Sequence, residues 1–106
     1  MTDKDILTML KTDLQISATQ YDTYLTNLIK LAKAAIEREG IILDTLVVNG
    51  EDETETTTGL TIEDGMLVQM YAAYLYRKRK EENTAMPRSL RYALNNRLFS
   101  QKGSAT

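Results

Sequence analysis

The spacing of apolar residues along the chain predicts four helices and little regular β structure. The clearest helix lies at about 20–39, where apolar side chains recur three or four positions apart and form one stripe: Leu25, Leu28, Ile29, Ala32, Ala35 and Ile36. A shorter helix before it, from Asp3 to about Lys11, carries Ile6, Leu7 and Leu10 at similar spacing. The small Ala32 and Ala35 would let another helix approach the stripe closely.

Capping residues set the predicted limits of these helices. Thr19, with Asp22 three residues later, has the spacing of a capping box at the start of the second helix. Gly40 stands where a helix commonly ends in a left-handed residue. Thr61 and Asp64 repeat the capping pattern, so we expect a third, longer helix to begin directly after Thr61.

The third and fourth helices are predicted to lie on either side of a proline. Between Ile62 and Glu82, apolar residues recur at a spacing that keeps them on one helical face: Met66, Leu67, Met70, Tyr71, Tyr74 and Leu75. The fourth helix opens at Pro87, which is favoured in the first turn and excluded from the interior, and runs to about 99. The sequence therefore predicts an all-α bundle of about four helices, with a core that includes Leu25, Leu28, Ile29, Ala32, Ile36, Met70, Tyr71, Tyr74, Leu75, Leu90 and Leu94.

Residues 41–60 change character, and two interpretations stay open. The segment begins with a β-prone run, reaches a turn signal at Asn49-Gly50, and continues as an acidic, threonine-rich stretch. It could form a short ribbon in which residues 46–48 pair with residues near 56–60, or an extended surface loop. Because the alternating threonines and glutamates carry no buried face, we favour a mobile excursion at about 44–60 with weak strand character.

Composition narrows the class of protein. At 106 residues, 42% hydrophobic and 26% charged, the chain is expected to form one soluble domain at 1–99 with a flexible tail at 100–106. The absence of cysteine and histidine removes disulfides, thiol nucleophiles, the usual zinc sites and Ser-His catalysis. No apolar run is long enough to span a membrane, and the acidic N-terminus lacks a signal core, so we expect cytosolic synthesis. We predict no enzymatic activity, cofactor or metal.

The net charge of −2 hides a strong asymmetry between the two parts of the chain. Residues 77–106 carry eight lysines and arginines against two glutamates, a net charge of +6, so residues 1–76 carry −8. Four of the cations are consecutive, from Arg77 to Lys80, at the end of the third predicted helix. This asymmetry indicates an anionic partner or head-to-tail packing of identical subunits. The plainer interpretation is a solvated helix end that complements the helix dipole.

Arg97 is the most informative residue of the fourth helix. At 100° per residue it falls about 20° from Leu90, in the middle of the apolar stripe, whereas Arg88 and Arg91 lie on the opposite side. A centred arginine must be paired or used at an interface, and both possibilities stay open: a carboxylate of the same subunit, perhaps on the second helix, or a partner. Because its cations diverge, the helix is a poor candidate for reading DNA.

Several short patterns resemble those of the tailed-phage head–tail connector family. The C-terminal half shows Leu75-Tyr76-x-x-Arg79, then Met86-Pro87, then Ala93-Leu94-x-x-Arg97. The N-terminal half shows Ile6-Leu7-x-x-x-Lys11-x-x-Leu14-x-Ile16, followed by Leu25-x-x-Leu28-Ile29-x-x-Ala32. The resemblance covers nearly the whole chain outside about 44–60, where the acidic loop departs from the compact pattern.

The resemblance implies a structural virion protein that is made in the bacterial host cytoplasm. Such connectors assemble into a ring, typically of twelve subunits, which joins the portal protein to a downstream tail or neck protein and extends the DNA channel without reading DNA sequence. Their C-terminal segment commonly reaches the portal. Within this picture, we expect the subunit or portal contacts to involve Arg77, Arg79, Arg88, Arg91 and Arg97. The alternative is a small helical DNA-binding regulatory protein.

Overall fold

In the part of the chain that the structure describes, four α-helices and one two-stranded ribbon build the fold, and they confirm the all-α prediction. The computed structural model describes residues 1–49, 56–81 and 84–104. The elements are α1 (Asp3–Leu14), a 3-10 turn (Thr19–Tyr21), α2 (Asp22–Arg38), β1 (Thr45–Asn49), β2 (Thr56–Leu60), α3 (Ile62–Lys80) and α4 (Arg88–Ser104). Across these described residues, no helix has the length and apolar character needed to cross a membrane.

Helix α3 lies at the centre and packs against α1, α2, α4 and β2. It is buried on several sides, so it lacks the single apolar face that the sequence indicated. Its buried residues include Leu67, Val68, Ala72, Ala73 and Tyr74, whereas Met66, which we had placed on the apolar face, is 45% exposed.

The predicted core residues fall into two groups. Those that are buried are Leu25, Leu28, Ile29, Ala32, Ile36, Tyr74, Leu90 and Leu94. Met70, Tyr71 and Leu75 are partly exposed and pack around that core. Ile6 and Leu10 of α1 are completely buried, so the first helix is as much a part of the core as the second.

The helix ends agree with the sequence prediction at two positions and differ at a third. Gly40, which follows the C-cap residue Glu39 of α2, has φ of 96°, in the left-handed region that favours glycine. The Thr61 hydroxyl accepts a hydrogen bond from the Asp64 backbone N–H and caps α3. The predicted cap at Thr19 is wrong, because Thr19 opens the 3-10 turn and no side chain caps α2.

Of the two interpretations left open for residues 41–60, the structure shows the short ribbon, because β1 and β2 pair as antiparallel strands. The register runs from Thr45 opposite Leu60 to Asn49 opposite Thr56. Leu60 is buried and exchanges backbone hydrogen bonds with Met1, which gives the base of the ribbon the anchor that the sequence pattern lacked. The acidic residues 51–55 lie outside the described residues.

Two glycines make room for Met1 beside this ribbon. A Cβ on Gly59 would lie 2.7 Å from the Met1 carbonyl oxygen, and one on Gly65 would lie 2.5 Å from the Met1 sulfur. Any side chain at either position would force Met1 to move. Gly65, which is unfavourable in the first turn of a helix, is therefore required by this close approach.

Helix α4 is longer than the sequence predicted. It begins at Arg88, with the Pro87 carbonyl accepting the hydrogen bond from the Arg91 backbone N–H, and it continues to Ser104 instead of ending near 99. The Gln101 side chain bonds to the backbone N–H and carbonyl of Ile42, which fixes the added turn to the segment after α2. Part of the expected tail at 100–106 is thus helical, and residues 105–106 lie outside the described residues.

Candidate functional site

Charged side chains concentrate at the two ends of α3, in very different environments. At its N-terminal end, Asp64 lies with Arg97 and Asp44 in what we call the buried ion network. At its C-terminal end, the residues from Arg77 to Lys80 form what we call the cationic end, and all four are exposed. The two regions therefore differ in what their charges can contact.

The buried ion network joins α4 to α3 and to the segment before the ribbon. Arg97 Nε lies 2.8 Å from Asp64 Oδ1, and its Nη2 lies 2.6 Å from Asp44 Oδ2 and 3.2 Å from Asp64 Oδ2. The Asp44 backbone N–H donates to Asp64 Oδ2 at 2.7 Å. The Asp64 carboxylate therefore does not complete a capping box by bonding to the Thr61 backbone N–H. It accepts hydrogen bonds from Arg97 and Asp44 instead, which are distant in sequence.

Burial makes this pairing a structural requirement. Asp64 is fully buried, and the Arg97 side chain is 17% exposed. The hydrogen bonds that Arg97 donates to the Asp64 carboxylate raise the pKa of Arg97 above its usual value, which favours the charged guanidinium. Arg97 thus pairs within its own subunit, and its partner is on α3 and not on the second helix.

A second arginine of α4 is also engaged inside the subunit. Arg91 forms two hydrogen bonds with Glu39 at the end of α2, of 3.1 Å to Oε1 and 2.6 Å to Oε2. The hydrogen bonds to Glu39 raise the pKa of Arg91. The pair is more exposed than the buried ion network, with 42% of the Arg91 side chain accessible. It holds the first turn of α4 against the end of α2.

At the cationic end, Arg79 and Lys80 contact the rings of neighbouring tyrosines. The Arg79 guanidinium carbon lies 4.8 Å from the centre of the Tyr24 ring, and Lys80 Nζ lies 4.9 Å from the centre of the Tyr76 ring. Such cation–π contacts contribute about 0.5–1 kcal/mol at exposed sites. Arg77 approaches a carboxylate, that of Asp13 at 3.5 Å, and both side chains are widely exposed.

These contacts line a cleft of about 400 Å³ between the start of α2 and the end of α3. Its walls are Tyr21, Tyr24, Tyr76, Arg79 and Lys80, and we call it the tyrosine cleft. A hydrogen bond with Tyr76 raises the pKa of Lys80, which keeps its ammonium group charged. Neither Arg79 nor Lys80 forms an ion pair with a carboxylate among the described residues. The cleft is therefore rich in donors and open to an anionic group.

The outer face of α4 carries exposed aromatic residues that the sequence analysis missed. Tyr92 is 62% exposed and Phe99 is 71% exposed, and Arg88 lies one turn before Tyr92 on the same side of the helix. Arg88 forms no ion pair with any residue that the structure describes. The sequence did contain a signal for this face. Arg88, Tyr92 and Phe99 are four and then seven positions apart, which places all three side chains on the side of α4 opposite Leu90 and Leu94. Exposed aromatics and arginine are typical of protein interfaces.

The described residues offer no group of three or more Asp, Glu, Cys or His side chains that could bind a metal ion. Of the five predicted contact arginines, Arg91 and Arg97 are engaged with carboxylates inside the subunit. Arg77, Arg79 and Arg88 have exposed positions at the surface.

A protein-family model matches most of the chain. The family model described as phage gp6-like head-tail connector protein matches residues 4–100, which include α2, α3, the ribbon and most of α1 and α4. No curated protein and no solved structure gives a significant match.

Proposed function

The chain belongs to the phage gp6-like head-tail connector family, a structural and non-enzymatic family, and we propose that it forms a ring between the portal and the tail or neck proteins. A phage structural connector is a component of the virion. In this proposal, identical subunits surround and extend the DNA channel after packaging, without sequence-specific binding, and twelve copies make the ring. Synthesis in the host cytoplasm is part of the same proposal. The match over residues 4–100 carries it, because it includes almost the entire chain.

Two exposed surfaces support contacts with different partners. The outer face of α4, with Arg88, Tyr92 and Phe99, combines large apolar area with an arginine that no described carboxylate pairs. We assign this face to the portal protein, because α4 is the C-terminal helix, the part that the family resemblance directs toward the portal. We assign the cationic end, with Arg77 and Arg79, to a neighbouring copy. Arg91 and Arg97 are assigned to the fold of the subunit.

The portal contact can be tested by reversing one charge. The variant Arg88→Glu should lower the affinity for purified portal protein at least tenfold in a pull-down or by interferometry. The reason is that an interfacial arginine contributes both charge and packing. Lys4→Glu, at an exposed position on α1, is the matched control and should bind as the unsubstituted protein does. Portal binding that survives Arg88→Glu would contradict the assignment of this face.

The same preparation distinguishes a connector from a DNA-binding regulator. A connector should bind duplex DNA weakly and without sequence preference. A regulator would retain a particular DNA sequence, with an affinity that falls steeply as salt rises. Selective retention of one sequence, together with no binding to portal protein, would overturn the proposed function.

A further inference from the structure

The ribbon that carries the acidic segment and the tyrosine cleft are placed at opposite ends of α3 along the chain, since β2 leads into the start of that helix and the cleft lies at its end. Residues 50–55 connect β1 to β2 and contain four carboxylates, those of Glu51, Asp52, Glu53 and Glu55. β2 ends at Leu60, directly before the cap of α3, whereas Arg79 is almost at the last residue of that helix. At 1.5 Å per residue, the start of α3 and Arg79 are about 26 Å apart.

This distance favours a contact between copies over one within a chain. The strand from Thr56 to Leu60 spans only about 14 Å, at roughly 3.4 Å per residue. Even if this strand ran along α3 toward Arg79, Thr56 would stop about 12 Å short of that residue. A second copy can present its cleft without this constraint, because its position is set by the assembly and not by the covalent chain.

The chemistry of the tyrosine cleft matches carboxylates. Arg79 and Lys80 supply several N–H donors and no acceptor, and stacking on a tyrosine ring leaves the guanidinium edge able to donate. Among the described residues, these two cations have no carboxylate partner of the kind that Arg91 and Arg97 have. The cleft is also concave and about 400 Å³, a size that holds a few side chains. Since the four cations of the cationic end point to all sides of the helix, they do not form the row that a DNA backbone would need.

We propose that the acidic segment 50–55 of one copy docks in the tyrosine cleft of the next copy. Its carboxylates accept hydrogen bonds from Arg79 and Lys80, so that one end of each subunit contacts the opposite end of its neighbour. A head-to-tail contact of this kind closes into a ring when the rotation between neighbours permits it. The inference rests on the proposed ring and names the surfaces by which its subunits meet.

A charge-swap experiment tests the contact. The cleft variant Arg79→Glu/Lys80→Glu and the segment variant Glu53→Lys/Glu55→Lys each place like charges together. Each alone should self-associate at least tenfold more weakly than the unsubstituted protein, by analytical ultracentrifugation in low salt. An equimolar mixture of the two should recover association. The unchanged acidic segment of the cleft variant fits the unchanged cleft of the segment variant. The lysines introduced into the segment variant match the glutamates introduced into the cleft variant.

A control variant, cross-linking and thermal unfolding test whether the effect comes from this contact. Lys30→Glu/Arg38→Glu changes the net charge equally at exposed positions of α2 and should associate normally. Carbodiimide cross-linking of mixed ¹⁴N and ¹⁵N protein should join residues 51–55 of one isotope to Lys80 of the other. Thermal unfolding of each variant should show that the fold is retained.

The possible failures are distinguishable. If the unsubstituted protein forms rings and both variants do so equally well, or if the mixture does not recover, the contact is wrong while the connector function stands. If no form self-associates with or without portal protein, the ring itself fails and the contact with it. If Arg79→Glu/Lys80→Glu loses only DNA binding and still assembles, the cleft belongs to DNA and the proposal is overturned.

Discussion

Arginines lie near both ends of α3, but they differ in how far they are buried and in how closely they contact carboxylates. Arg97 in the buried ion network is 17% exposed and contacts two carboxylates, one of them fully buried. Arg77 at the cationic end is 50% exposed and approaches its carboxylate at 3.5 Å. Breaking a buried pair leaves an uncompensated charge in the core, whereas an exposed pair is screened by water and ions. The difference separates arginines that hold the fold from those that can serve an assembly.

The largest effect is expected at the buried end. Arg97→Met should lower the free energy of unfolding by about 3–5 kcal/mol, because it leaves the Asp64 carboxylate buried without its partner. Urea unfolding monitored by circular dichroism would measure this loss. In the double variant Arg97→Met/Asp64→Asn, more than half of the stability should return, since an uncharged amide replaces the orphaned carboxylate and can still accept from Asp44. A loss below about 1 kcal/mol for Arg97→Met would contradict the structural role.

The half-exposed pair on α4 should give an intermediate effect. Arg91→Met should lower the free energy of unfolding by about 1 kcal/mol, because its two hydrogen bonds to Glu39 are partly accessible to water. The matched control is Arg88→Met, for which we expect a change within about 0.5 kcal/mol. An equal loss for both variants would remove the distinction between the paired and the unpaired arginine.

The cationic end should contribute least to stability. Arg79→Gln should change the free energy of unfolding by about 0.5 kcal/mol, since it loses one exposed cation–π contact with Tyr24. The same substitution should weaken self-association, and high salt should do so too. If Arg79→Gln unfolded as readily as Arg97→Met, the cationic end would be structural and unsuited to reversible contacts.

Alkaline pH should leave the contribution of Arg97 unchanged. The folded protein raises the pKa of Arg97 above its usual value, mainly through the hydrogen bonds to Asp64, so the stability that the charged guanidinium contributes is lost only as the pH rises through that raised pKa. Urea unfolding at pH 7 and at pH 9 should therefore give the same difference between Arg97→Met and the unsubstituted protein. A difference that shrank at pH 9 would show that another group carries the effect.

Local patterns predicted the four helices and the unusual position of Arg97, but not its partner. Asp64 has the spacing of a capping residue, and only the packing of α4 on α3 brings Arg97 to its carboxylate. The sequence could not decide between a ribbon and a loop for the same reason, because Leu60 is anchored by Met1 from the other end of the sequence. In the same way, Gln101 extends α4 through bonds to Ile42. Contacts between distant residues leave no periodic signal, whereas helix faces and caps do.

The most direct test of the account is native mass spectrometry of the chain mixed with the portal protein of its phage. We predict a single ring mass, close to twelve copies, bound to the portal complex and dissociating as the salt concentration rises. A chain that stays monomeric at high concentration and leaves the portal protein unbound would contradict the account.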